Sequence, residues 1–152
     1  MTPPPDLDER PLPHLMRAAR GSYAQAISAD LAKAGYDDLP RNGAAVLSRM
    51  AFEGGSAVEL IKDLGVTKQA ASQLIDTLVL RGYLTREINP EDRRRMVVAL
   101  TDRGRDAATA VGAAAESVDH QLEVMLTAAE IAALRKGLAA LGEIKERMRT
   151  DA

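Results

Sequence analysis

Cysteine and tryptophan are both absent from the sequence, and aromatic side chains make up only 3% of it. Without a thiol the chain can form no disulfide, no thiolate metal site and no thiol redox switch. With so few rings, a core must be assembled from Ala, Leu, Val, Ile and Met. Long apolar runs are missing too, since no window approaches the roughly 18 apolar residues of a membrane-spanning helix. The first residues lack the basic and apolar regions of a secretory leader, so a cytoplasmic protein with no membrane partner is expected. Only His14 and His120 could serve as imidazole ligands or bases, and they lie far apart in sequence. No HExxH pair, nucleophile elbow or P-loop occurs. The expectation is a non-enzyme with no metal and no cofactor.

At 152 residues the chain is long enough for one sizeable core. Its net charge of −2 appears to disfavour a nucleic-acid partner, but the distribution matters more. Residues 41–105 carry eleven Lys/Arg against eight Asp/Glu, whereas residues 1–40 carry four against six and residues 106–152 five against eight. Positive charge is therefore concentrated in the middle of the chain, though the excess is modest.

That middle stretch has its own grammar. Ser56 and Glu59 have the spacing of a capping box, Val58, Leu60, Ile61 and Leu64 supply apolar positions, and Gly65 suits a helix C-terminus. Thr67 follows almost at once as a second N-cap, so two helices are joined by the short turn of a helix-turn-helix. The second helix, about Thr67 to Arg81, sorts by phase. Ala71, Leu74, Ile75 and Leu78 share one face, and Gln69, Ser72, Gln73 and Asp76 share the other, with Lys68 and Thr77 at its margins. Short and amide-bearing side chains suit base edges in a major groove: Gln to adenine, Asp accepting from cytosine, Ser and Thr to either. Taken alone, that face is equally compatible with an ordinary solvated helix surface.

Gly82 ends the helix. The segments Tyr83–Ile88 and Met96–Thr101 are rich in β-formers and flank a turn-forming, charged tip, Asn89-Pro90-Glu91-Asp92-Arg93-Arg94-Arg95. Consecutive arginines repel one another and are usually just a solvated run. Placed after a helix-turn-helix on a protruding hairpin, they would reach phosphates or a narrow minor groove. Asp92 is placed to pair with one arginine and aim another outward. The DNA-contacting set is therefore expected to be Thr67, Lys68, Gln69, Ser72, Gln73, Thr77, Arg86, Asp92, Arg93, Arg94 and Arg95.

Asp92-x-Arg94, followed after five intervening residues by Leu100-Thr101, resembles the wing motif of MarR-type transcriptional regulators. The run from Val66 through the wing to Asp106, including Arg81-Gly82 and Gly104, is similar to their recognition helix, wing and following helix. The resemblance implies a homodimeric winged-helix repressor or activator on double-stranded DNA, with recognition helices in successive major grooves. It makes Arg94 the arginine that enters the minor groove, Asp92 its orienting partner, and Lys68, Gln69, Ser72 and Gln73 the helix contacts. Val79-Leu80 is apolar where the family often carries charge, which suggests an added contact there with the wing.

The flanks read as helices. Residues 1–13 hold Pro3, Pro4, Pro5, Pro11 and Pro13, a flexible or polyproline-like tail. A helix then runs to Ala34 with Leu12, Leu15, Met16, Ala19, Tyr23, Ala26 and Ile27 on a stripe, and Gly35 closes it. Tyr36 to Leu39 is expected as a loop, and Pro40 suits the first turn of the next helix, to about Phe52. Thr101 caps a long helix to about Leu126, and Thr127 with Glu130 opens the last one. The expected class is mainly α (α+β): a winged helix over about residues 40–101 within a single domain, 14–152. Its long helices, 14–34 and 102–150, carry apolar stripes that a monomer would leave exposed, so a two-fold homodimer is expected. The family resemblance also implies a small anionic or phenolic ligand between the first two helices and the helix after the wing. His14, Arg17, Tyr23, Tyr36 and Met50 are the residues expected near it. The competing reading is a winged helix used as an architectural or protein-interaction module.

Overall fold

The computed structural model describes residues 9–40, 42–52, 57, 61, 65–89 and 96–150. The elements are α1 (Leu12–Lys33), α2 (Gly43–Phe52), α3 (Lys68–Leu80), β1 (Leu84–Ile88), β2 (Met96–Leu100), α4 (Asp102–Met125) and α5 (Ala128–Thr150). They divide between two compact units, Met1–Ala115 and Glu116–Ala152. The result is mainly helical with one antiparallel hairpin, as the residue pattern requires.

In the first unit, α1 opens at Leu12 with Pro11 as its cap, so the last residues of the predicted Pro-rich tail belong to the helix. Pro13 stands in the first turn, where a missing N–H costs no intrahelical bond. α1 and α3 end in the same way. Gly35 and Gly82 adopt φ of 83° and 74°. Their N–H groups donate to Ala32 and Val79, while those of Tyr36 and Tyr83 reach back to Leu31 and Leu78. This paired return satisfies two carbonyls that the helix end would leave open and needs a left-handed residue that glycine supplies without strain.

Pro40 does not enter α2. The Gly43 N–H donates to the Pro40 carbonyl at 2.8 Å, and Asn42 takes a positive φ of 68°, so a turn intervenes and the helix starts at Gly43. The first helix of the expected helix-turn-helix lies largely outside the described residues, including the Ser56–Glu59 capping pair. Its Ala57 and Ile61 are helical and buried. α3 starts as expected, with Thr67 Oγ1 accepting from the Ala70 N–H at 3.2 Å.

The hairpin pairs Leu84 with Leu100 and Ile88 with Met96. β1 begins at Leu84 rather than before it, because Gly82 and Tyr83 complete the cap of α3. The core joins Val46 and Leu47 of α2, Ala57, Ile61, Ile75 and Leu78, Tyr83, Leu84 and, from α4, Ala107 and Ala108. Small residues on α4 allow close approach. A Cβ at Gly104 would stand 2.1 Å from the Tyr83 carbonyl oxygen, a distance no substituent tolerates without backbone movement.

In the second unit, the Glu130 N–H donates to Thr127 Oγ1 at 3.3 Å and the Thr127 N–H returns to Glu130 Oε2 at 2.8 Å, the reciprocal capping box that the spacing predicts. The Thr127 hydroxyl also donates to Glu130 Oε2 at 2.7 Å; this bond first, and the one from the Thr127 N–H second, hold the Glu130 carboxyl below its ordinary value. α5 has no buried residue among those described. Leu134, Leu138, Leu141, Ile144 and Met148 are all exposed along it.

Candidate nucleic-acid interface

α3 buries Ile75 and Leu78 and half-buries Ala71 and Leu74, which turns its opposite edge outward. Lys68, Gln69, Ser72, Gln73 and Asp76 are exposed on that edge, as is the cap residue Thr67. Thr77 is less available, since its hydroxyl donates back to the Gln73 carbonyl at 2.7 Å. The amide and hydroxyl groups of Gln69, Ser72 and Gln73 offer both donors and acceptors to an approaching base edge.

Arg86 stands on β1 but reaches α3, where its Nη2 donates to Asp76 Oδ1. Helix phase puts Asp76 on the exposed face and Arg86 is expected to contact DNA, but nothing in the sequence shows that the two meet. Asp92, Arg93, Arg94 and Arg95 lie outside the described residues. Val79 packs against the core cluster, whereas Leu80 is 87% exposed. The added wing contact expected at this pair is therefore not made by Leu80 among the described residues, because the helix phase carries it to the solvent side.

Behind this edge is a polar cluster that the sequence reading treated as loop and strand. Asp38, between α1 and α2, accepts three hydrogen bonds from residues at the end of α3 and the start of α4. Its carboxylate accepts from the Tyr83 hydroxyl and from Arg103 Nη2 at 3.0 Å, and its carbonyl accepts from Arg81. Arg103 also donates to the Arg81 carbonyl at 2.8 Å and lies 4.5 Å over the Tyr83 ring, a cation–π placement. Thr101 completes the joint, its hydroxyl donating to the Gly82 carbonyl at 2.6 Å and accepting from the Gly104 N–H at 3.0 Å. The C-terminus of α3 is thus tied to the loop before α2 and to the first turn of α4. The available signal was Thr101-x-x-Gly104 after a strand; the Asp38 contacts had none, because they span distant stretches.

The five residues expected near a ligand do not share one environment. Tyr36 and Met50 pack against the core, Tyr36 lying 6.2 Å from the Tyr83 ring. Tyr23 is half-buried, and His14 and Arg17 are exposed on α1. The second unit has an open cleft of about 440 Å³ lined by Glu123, Leu126, Ala128, Ile131, Ala132 and Arg135, and none of the predicted site residues borders it. Among the described residues no helix is long and apolar enough to cross a membrane, and no cluster of three or more His, Asp or Glu could hold a metal ion.

A short helical turn into an exposed polar helix, followed by a hairpin packed on that helix, defines a winged helix-turn-helix. Residues 37–95 match the MarR family. The chain also resembles a crystal structure of MarR, with 28% identity and a TM-score of 0.76 over 97% of this chain and 99% of that one. Against wild-type apo MarR from E. coli the identity is 26% and the TM-score 0.63, over 87% of this chain and 97% of that one. A MepR–DNA complex from S. aureus shares the fold, with 19% identity and a TM-score of 0.69 over 89% of this chain and 98% of that one. Curated protein sequences contain no significant match. Over the matched segment the chain is similar to the MarR family, and it has the fold of MarR-type transcriptional regulators.

Proposed function

We propose that the protein is a sequence-specific DNA-binding transcriptional regulator, a repressor that acts in the cytoplasm as a homodimer on a pseudo-palindromic operator. The observation that carries this reading is the outward edge of α3. Lys68, Gln69, Ser72 and Gln73 are exposed together on one face, opposite a face locked into the core. Lys68, as a point charge, would engage phosphate, and the two glutamines and the serine would read bases. The arginines of the wing, Arg93, Arg94 and Arg95, with Asp92 orienting Arg94, would add the minor-groove contact. The DNA bound by MepR in its complex supports the same kind of partner here. Occupying an operator excludes other proteins sterically and needs no further contact, which favours repression over activation.

The homodimer is supported by the apolar side chains that each subunit leaves in water: Leu12 and Met16 on α1, and Leu134 through Met148 on α5. Exposed stripes of this kind mark association surfaces. In the proposed organisation a winged helix of about residues 40–101 is carried on dimerisation helices 14–34 and 102–150. A small anionic or phenolic ligand would release DNA by favouring a different spacing of the two reading heads, with Arg17 the cation of the set His14, Arg17, Tyr23, Tyr36 and Met50. Selection of bound sequences from a random duplex pool tests the proposal. An inverted repeat with half-sites about one helical turn apart is expected; recovery of no consensus would favour an architectural or protein-interaction module instead.

A further inference from the structure

α3 carries a single acidic side chain, Asp76, and a single cationic one, Lys68. A carboxylate on the edge that faces a polyanion opposes binding unless something compensates it. Asp76 lies one turn beyond Ser72 and Gln73, and Arg86 compensates it from another element. Along β1, Arg86 shares a face with Leu84 and Ile88, and Leu84 is in the core. The guanidinium therefore leaves the side of the hairpin that packs on the helices, and it reaches Asp76 Oδ1 through Nη2. The two side chains are 47% and 58% exposed. Ion pairs this open contribute little to stability, so the pair is better explained by what its surface meets. One donor on Asp76 also leaves the guanidinium others to give.

We propose that Asp76 is a specificity-determining positioning residue that holds the Arg86 guanidinium at the reading edge of α3 while cancelling its charge. A duplex of any sequence offers phosphates, and a free arginine would strengthen binding to all of them alike through counterion release. Tied to Asp76, Arg86 adds no net attraction to the backbone. Its spare donors count only where the operator places an acceptor within their fixed reach. Discrimination then comes partly from a built-in repulsive group. This inference rests on the DNA-binding reading above.

The test compares duplexes selected by the wild-type protein with a random-sequence duplex of equal length, over a series of salt concentrations. Asp76→Asn should bind the random duplex about 3- to 10-fold more tightly at low salt, with a log–log salt slope steeper by about 0.9, and the selected-to-random ratio should fall. Asp76→Glu should restore the ratio. The neutral double variant Asp76→Asn/Arg86→Gln should keep the wild-type random-duplex slope and lose affinity for selected sequences. That variant decides the matter if Asp76→Asn fails to fold by circular dichroism. An unchanged slope and ratio in Asp76→Asn overturns the proposal, as does a double variant whose random-duplex slope is shallower by about one. A wild-type protein that selects no sequence overturns the DNA-binding reading and this inference together. One that selects sequences while the variants match it overturns only the inference.

Discussion

The Tyr83 hydroxyl donates to the Asp38 carboxylate across 45 residues of chain, joining the loop before α2 to the cap of α3. Burial first, and this hydrogen bond second, push Tyr83 up to about 12. The same bond is the largest influence holding Asp38 below its ordinary value; partial burial opposes it, and the Arg103 and Arg81 charges reinforce it. Because the folded state depresses Asp38, the stability it contributes is present above the unfolded carboxylate value of about 3.9 and lost as pH falls below it. Asp38→Asn should therefore flatten the acid limb of a plot of thermal midpoint against pH. Because Tyr83 is raised, its contribution is intact below about pH 10 and lost as pH rises through the folded value. Tyr83→Phe should flatten the alkaline limb, and an unchanged limb in either variant would remove the pair from the stability account.

Gly104 and Gly82 are required for different reasons, and alanine at each should show it. At Gly104 the new Cβ would meet the Tyr83 carbonyl oxygen at 2.1 Å, so α4 must move off the hairpin base, at the upper end of an overpacking cost of about 1–3 kcal/mol. At Gly82 the space is open and only the φ of 74° resists, a penalty of about 1–2 kcal/mol. Urea unfolding of the two variants should rank them in that order.

Thr67 both caps α3 and borders its exposed edge. Thr67→Ala removes the bond to the Ala70 N–H and should cost about 1 kcal/mol of stability. Thr67→Ser keeps the cap and should stay near wild type in the same unfolding measurement.

Lys68 and Gln73 should separate in binding assays. Lys68→Ala is expected to weaken all duplexes about equally and to lower the salt slope by about one. Gln73→Ala should relax preference at one base pair per half-site, at about 1–3 kcal/mol. A uniform loss for Gln73→Ala would reassign it to the backbone.

Leu138 sits mid-way along the exposed stripe of α5 and is 49% exposed. Leu138→Arg should shift the light-scattering mass at micromolar concentration toward that of one chain while leaving helix content unchanged. If the wild-type protein already scatters as one chain, the dimer is excluded.

Local chemistry was enough to place most of this fold. Thr67 as a cap, Gly35 and Gly82 as helix ends, the Thr127–Glu130 box and the 3.6-residue phase of α3 each depend on neighbours within a few positions, and a linear pattern can carry such information. The outward edge of the candidate site was legible for the same reason, because burying Ile75 and Leu78 leaves Gln69 and Gln73 no other direction. What only the tertiary structure decided are the contacts between remote stretches. The sequence marks Asp38 as a loop residue, Arg86 as a DNA contact and Asp76 as part of the exposed helix face, with no sign that any of them is paired. Which arginine each carboxylate receives depends on how closely α4 and the hairpin approach α2 and α3, and that distance is set by core packing, through small residues such as Gly104, Ala107 and Ala108, rather than by any local preference of the charged residues themselves.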